Sequence, residues 1–272
     1  MKVKEFIKNF WDVLNRREML ILPGHLAFSF ILSIVPILTL IGYGAAGLNL
    51  SIDFIEEFIT KAFGSTISEM IIPIVSVSGL SFSFFVTLFI GFFTASSGAS
   101  AVIITSNMIY GIEDKGYIYR KIKALVMTVF IVLLFLFILI FPLFGNKIIE
   151  LVKYVNLNPI VTEKIQTVFN FLQGPFSLFF VFLFIKIIYA MAPDVKIPSK
   201  NVNYGAIFTS IGWLVVTWIY SFYINHYAHY SVFYGGLANL VILLLWFYLL
   251  ANIFVIGMAL NYRKSETKKI IR

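Results

Sequence analysis

An all-α integral membrane protein, built as a bundle of six transmembrane helices, is the fold class this sequence predicts. Three features carry the prediction. Asn201 to Tyr262 is a run of 62 residues without Asp, Glu, Lys or Arg, bounded by basic residues on both sides. A hydrocarbon core about 30 Å thick takes roughly 20 apolar helical residues to cross, so this run holds two crossings and a turn. Over the whole chain of 272 residues, 60% are hydrophobic, 18% aromatic and only 12% charged, about half the charge of a soluble domain. Finally, 16 of the 21 Lys and Arg fall on one and the same side of the expected crossings. By the positive-inside rule, that side is the cytoplasm, and both termini lie there.

The elements follow in order. Residues 1–20 place Phe6, Ile7, Phe10, Trp11 and Leu14 at helical spacing between Lys4, Lys8, Asn9, Asp12 and Asn15. This spacing predicts an amphipathic interfacial helix on the inner leaflet, with a partner-docking helix as the alternative. The membrane domain is then 21–262, with crossings near 25–48, 80–108, 122–144, 175–192, 203–225 and 236–261, and 263–272 is a basic cytoplasmic tail. The first apolar run from Met19 is too long for a cleaved signal region and has Pro36 in its middle, so it reads as a retained helix. Phe54, Ile55, Phe58, Ile59, Ala62, Phe63 and Ile67 form one face of an outer amphipathic helix. A second outer connection repeats the pattern in two pieces divided at Asn158-Pro159. These outer helices read as a structural cap or as a lid over a cavity.

Six residues stand out as candidates for a substrate path. Ser96, Ser100 and Asn107 form a polar stripe on the second crossing, beside the small residues Gly91, Ala95 and Ala99. Small residues let helices approach, and hydroxyls there serve either as interhelical glue or as a hydrophilic lining. Ser33 and Pro36 mark the first crossing, where a proline removes one backbone donor and opens the helix locally. Lys186 is the ionised side chain inside an apolar span. It faces the bundle interior, where it would suit an anionic headgroup, or snorkels to the inner surface; both options stay open.

Other chemistry finds little footing. The chain has no cysteine, which removes disulfides and thiolate metal sites. His226 and His229 are one turn apart in a tyrosine-rich segment, but two ligands do not make a metal site, and no cofactor is expected. The crossings carry no acid, and no phosphate loop, nucleophile elbow or zinc-protease motif occurs. No enzymatic activity is therefore expected. The net charge of +8 is placed for topology, not for nucleic acid, so the expected partners are membrane lipids, with a homo-oligomer left open.

Several pieces in order resemble the YihY/BrkB family of bacterial inner-membrane proteins. They are His25-Leu-Ala-Phe-Ser-Phe-Ile-Leu-Ser-Ile-Val-Pro36, Asn107-Met-Ile-Tyr110 and Tyr189-Ala-Met-Ala-Pro193, followed by Tyr204-Gly-Ala206, Trp213 and Tyr234-Gly-Gly-Leu237. Trp246-Phe-Tyr-Leu249 and Gly257-Met-Ala-Leu-Asn261 complete the set. The resemblance implies six transmembrane helices. Its members have carried the labels ribonuclease BN, regarded as a misassignment, and virulence factor, and some are linked to envelope lipid export. Two positions depart from the family pattern: Ala259 stands where a glutamate is usual and Ala190 where a basic residue is common, with Lys186 one turn earlier. Family roles for those two positions do not carry over. The expectation is a transporter or flippase-like protein for an amphiphile, with a non-transporting assembly or scaffold protein of the cell envelope as the alternative.

Overall fold

The computed structural model describes residues 18–47, 82–133, 159–226 and 238–264, together with Trp11, Asn15, Asp53, Glu56 and Ile72. Every regular element among them is helical. In chain order these are α1 (Glu18–Gly47), α2 (Phe82–Tyr110), α3 (117–133), α4 (Pro159–Met191), a 3₁₀ turn (Ser199–Val202), α5 (Asn203–His226) and α6 (Ala238–Lys264). Among the described residues three segments are long and apolar enough to cross a membrane: Phe89–Tyr110, Ser199–Tyr220 and Val241–Tyr262. Two shorter apolar helices, Met19–Ser33 and Leu178–Met191, accompany them. Apart from Glu56, the outer helix predicted over 54–67, the first piece of the second outer connection, His229 and the basic tail from 265 lie outside the described residues. Of the N-terminal amphipathic segment 1–20, Trp11, Asn15 and 18–20 are described, the last three already in α1. The Asn15 N–H donates to the Trp11 carbonyl at 3.1 Å, one helical turn.

Prolines inside the helices do not end them. Helix α1 runs unbroken through Pro23 and Pro36, because a proline costs one intrahelical bond and neighbouring helices hold the rest. Pro175 likewise sits inside α4, so the outer amphipathic stretch after Pro159 and the following crossing form one helix of 33 residues. Pro159 opens it, at the position where a missing N–H loses nothing.

The end of α2 is set by its sequence. Gly111 adopts φ 64°, its N–H donates to Met108 O at 3.3 Å, and Ile112 N–H donates to Asn107 O at 2.8 Å. This is the paired-bond stop that a left-handed glycine allows. Beyond it Asp114 accepts from the Gly116 N–H at 2.7 Å and pairs with Arg120 in the first turn of α3.

Packing places α1 against α2 and α6, α6 against α5, and α4 against α5. Small residues make the approaches close. Ala95 and Ala99 are buried, and a Cβ built on Gly98 would stand 2.8 Å from Ser33 Oγ. Gly91, by contrast, has no side-chain neighbour, so the small-residue face begins at Ala95. At the α5–α6 crossing a Cβ on Gly205 would overlap the Gly257 carbonyl, and one on Gly257 would overlap Thr209. The outward faces are apolar: Phe85, Phe89 and Ile90 on α2, Trp218 and Phe222 on α5, and Leu244 and Leu245 on α6 are exposed. The buried set includes Ser33, Ser96, Thr105, Ser106, Asn107, Thr128, Asp194, Thr209, Ser210 and Asn261. Polar groups inward and apolar groups outward is what a lipid solvent selects.

Candidate functional site

Four of the buried hydroxyls fold back on their own helices. Ser33 Oγ donates to Ser29 O at 2.8 Å, Ser96 Oγ to Phe93 O at 2.7 Å, Thr128 Oγ1 to Ala124 O at 2.8 Å and Ser210 Oγ to Ala206 O at 2.7 Å. This local bonding satisfies each hydroxyl without a partner helix. Thr105, Ser106 and Tyr110, one turn of α2 around Asn107, are buried with side-chain oxygens that lack a protein partner.

Asn107 is different. Its Nδ2 donates to Asp194 Oδ2 at 2.8 Å, and its Oδ1 accepts from the Asp194 N–H at 3.0 Å. Asp194 follows the end of α4, where Pro193 turns the chain away from the helix axis. Lys123, in the second turn of α3, closes the cluster. Its Nζ donates to Asp194 Oδ1 at 2.7 Å, to Ala192 O at 2.8 Å and to Pro193 O at 2.7 Å. Three ammonium protons thus meet three acceptors. The Lys115 N–H lies 3.5 Å from Asp194 Oδ2. The Asp194 side chain is 0% exposed and that of Lys123 16%, so the pair is nearly dry. Burial by itself would raise the Asp194 carboxyl. The hydrogen bonds from Lys123 and Asn107, together with the Lys123 charge, outweigh it and hold the group below the usual carboxylate range. The cluster is a latch that ties α2, α3 and the end of α4.

Of the six residues singled out by sequence, Asn107 alone enters this latch. Ser33 packs on Gly98, and Ser96 is buried, back-bonded to Phe93. Pro36 and Ser100 are half-buried. Lys186 is also half-buried, with Nζ 5.8 Å from the centre of the Phe182 ring. The two charged members of the latch were not among the six. Lys123 reads as one more cytoplasmic positive charge, and Asp194 as a residue beyond a proline. The available signal was Lys123 itself, a cation leading directly into the apolar run from Ala124.

A second polar knot joins α4, α5 and α6. Tyr189 Oη lies 2.7 Å from Thr209 Oγ1 and donates to Phe254 O at 2.6 Å. Trp213 Nε1 donates to Leu250 O at 2.9 Å, and Asn261 Oδ1 accepts from the Gly205 N–H at 2.6 Å. Ala259 is fully buried in the same region. Among the described residues no group of three His, Asp or Glu could hold a metal ion.

The profile of the virulence factor BrkB family matches residues 10–270. A protein of Bacillus subtilis named ribonuclease-like protein YfkH is 27% identical over 97% of both chains. A UPF0761 membrane protein of Prosthecochloris aestuarii is 24% identical over 91% of this chain, which spans 58% of that relative's length. Another UPF0761 membrane protein, from Aeromonas salmonicida, is 20% identical over 93% of this chain and 86% of its own. No solved structure matches.

Proposed function

The chain belongs to the virulence factor BrkB family of bacterial membrane proteins, and on that premise we propose that it moves an amphiphile across the inner membrane. It crosses six times with both termini cytosolic, and its substrate is a lipid-like molecule with an anionic headgroup. The observation that carries this reading is the latch. A nearly dry Lys123–Asp194 pair joins three helices, beside buried Thr105, Ser106 and Tyr110 oxygens without protein partners. A scaffold gains little from such groups, since apolar residues of similar volume would pack as well or better. A gate uses them: the closed state pairs its charges, and the open state hydrates them.

The test is movement of fluorescent anionic and zwitterionic lipids between leaflets of vesicles holding the purified protein. Protein-dependent movement of the anionic probe, slowed by Lys123→Met and Asn107→Leu, supports the reading. A rate equal to that of empty vesicles removes it.

A second reading, an assembly or scaffold protein without transport, is favoured by a separate observation. The α1–α2 contact at Ser33 and Gly98 and the α5–α6 contact at Gly205 and Gly257 leave no room for a side-chain methyl. That tightness suits a bundle meant to stay shut. The same vesicle assay separates the two readings. The ribonuclease name belongs to YfkH and carries nothing to this chain.

A further inference from the structure

Outward from the latch, a narrow apolar crevice of about 30 Å³ lies between α3 and α4, with Met127, Phe130 and Ile131 on one wall and Phe184, Ile188 and Met191 among the residues of the other. Its position relative to the charges is set by helix geometry. Lys123, Met127, Phe130 and Ile131 are spaced 4, 3 and 1 residues apart, so they share one face of α3. From Lys123 to Ile131 this face climbs about 12 Å along the axis. On α4 the lining ends at Met191, and the next two carbonyls, Ala192 and Pro193, are the ones Lys123 holds. The crevice therefore begins where the lysine sits and runs away from it between two lipid-facing helices. Its walls are apolar and include two methionines, side chains that adapt to an irregular guest.

We propose that this crevice marks the docking site of an anionic phospholipid, its acyl chain lying along the lipid-facing mouth between α3 and α4 and its headgroup on Lys123 in exchange for Asp194. Asp194 then acts as a tethered stand-in for the headgroup. In the exchange Lys123 retains Ala192 O and Pro193 O and trades one anionic oxygen for another, while Asp194 loses its cation and must take up water as the latch opens. The released carboxylate keeps the Asn107 amide as donor. This docking rests on the transport reading for its purpose, but binding is measured independently of movement.

The test uses the full chain in nanodiscs doped with a photoreactive phosphatidylglycerol or a photoreactive phosphatidylcholine, followed by mass mapping of labelled peptides. Wild type is expected to label on α3 and α4 around the crevice, with the anionic probe favoured roughly tenfold, the worth of one charge-assisted hydrogen bond. Lys123→Met abolishes the preference, and Met127→Trp, which fills the crevice, lowers labelling by both probes. Asp194→Asn raises anionic labelling, because the competing carboxylate is gone. That sign separates the proposal from a purely structural ion pair, for which both latch substitutions loosen the fold and lower labelling together. Equal labelling by the two probes in wild type, or a fall with Asp194→Asn, overturns the docking site. Should labelling follow the expected pattern while no lipid moves in the vesicle assay, the docking site stands and the transport reading falls.

Discussion

Replacing Lys123 by methionine is the sharpest perturbation of the latch. The substitution leaves the Asp194 carboxylate 0% exposed, with the Asn107 amide as its close donor and the Lys115 N–H at 3.5 Å. Removing one partner of a buried pair costs roughly 3–5 kcal/mol, because the remaining charge is stranded out of water. Asp194→Asn is milder. Lys123 keeps two carbonyls and 16% exposure, so the loss is about 1–3 kcal/mol, the cost of a weakened charged hydrogen bond. In the double variant no charge is stranded, and the two losses do not add; the expected coupling is on the order of 1–3 kcal/mol. Thermal unfolding in detergent, followed by fluorescence of the four tryptophans, reads all three variants. Lys123→Met lowers Tm by roughly 10 °C, and the double variant recovers part of that loss. Additive losses, or a Lys123→Met variant as stable as wild type, would falsify the claim that the pair is a mutually dependent, dehydrated unit.

Three further outcomes follow from the same structure. The low folded value of Asp194 makes its contribution to stability full above about pH 3.9, the unfolded reference, and lost as pH falls through the folded value. Wild type therefore loses Tm on acidification below that point more steeply than Asp194→Asn, as paired melting curves would register. Gly205→Ala and Gly257→Ala each lose about 1–3 kcal/mol or more by forcing α5 and α6 apart, whereas Gly24, which has nothing within 4 Å, tolerates alanine with no loss. Denaturation midpoints of the three variants decide this, and equal midpoints would remove the close-crossing argument. The inner placement of both ends is checked with reporters fused at residues 1 and 272, each active on the cytosolic side alone; activity of either on the outer side reverses the topology.

How far the sequence foretold this arrangement depends on the range of each interaction. Helix positions are local: a run free of charge between basic borders predicts α5 over 203–225 and α6 over 236–261, and the helices occupy Asn203–His226 and Ala238–Lys264. That α1 and α4 continue as helices past their prolines was less legible, because proline at 36 or 175 lowers local propensity while the surrounding lipid leaves backbone groups no better partner than the helix. The α4–α5–α6 knot was half legible. Tyr189, Trp213, Gly257 and Asn261 all stood among the residues that carried the family resemblance, but their mutual hydrogen bonds are facts of packing.

The latch shows where reading by spacing ends. Asn107 and Asp194 meet across 87 residues and Lys123 and Asp194 across 71, separations at which no periodicity relates one residue to another. Each also has a sufficient local explanation: an amide in a polar stripe, a cytoplasmic cation, an acid after a helix-ending proline. Those explanations are incomplete together, because they leave a cation at the head of an apolar run with no anion. Lys123 at the start of a crossing can reach water only if its stem lies along a free surface. On the face that packs toward α4 it needs acceptors instead, and the turn at Pro193 supplies two carbonyls while Asp194 supplies a carboxylate. A proline-directed turn that exposes its carbonyls and is followed by an acid is thus the complement a lysine on a neighbouring helix requires. In a medium that penalises unpaired charge, such complements are to be sought in pairs across the chain before either member is assigned to topology.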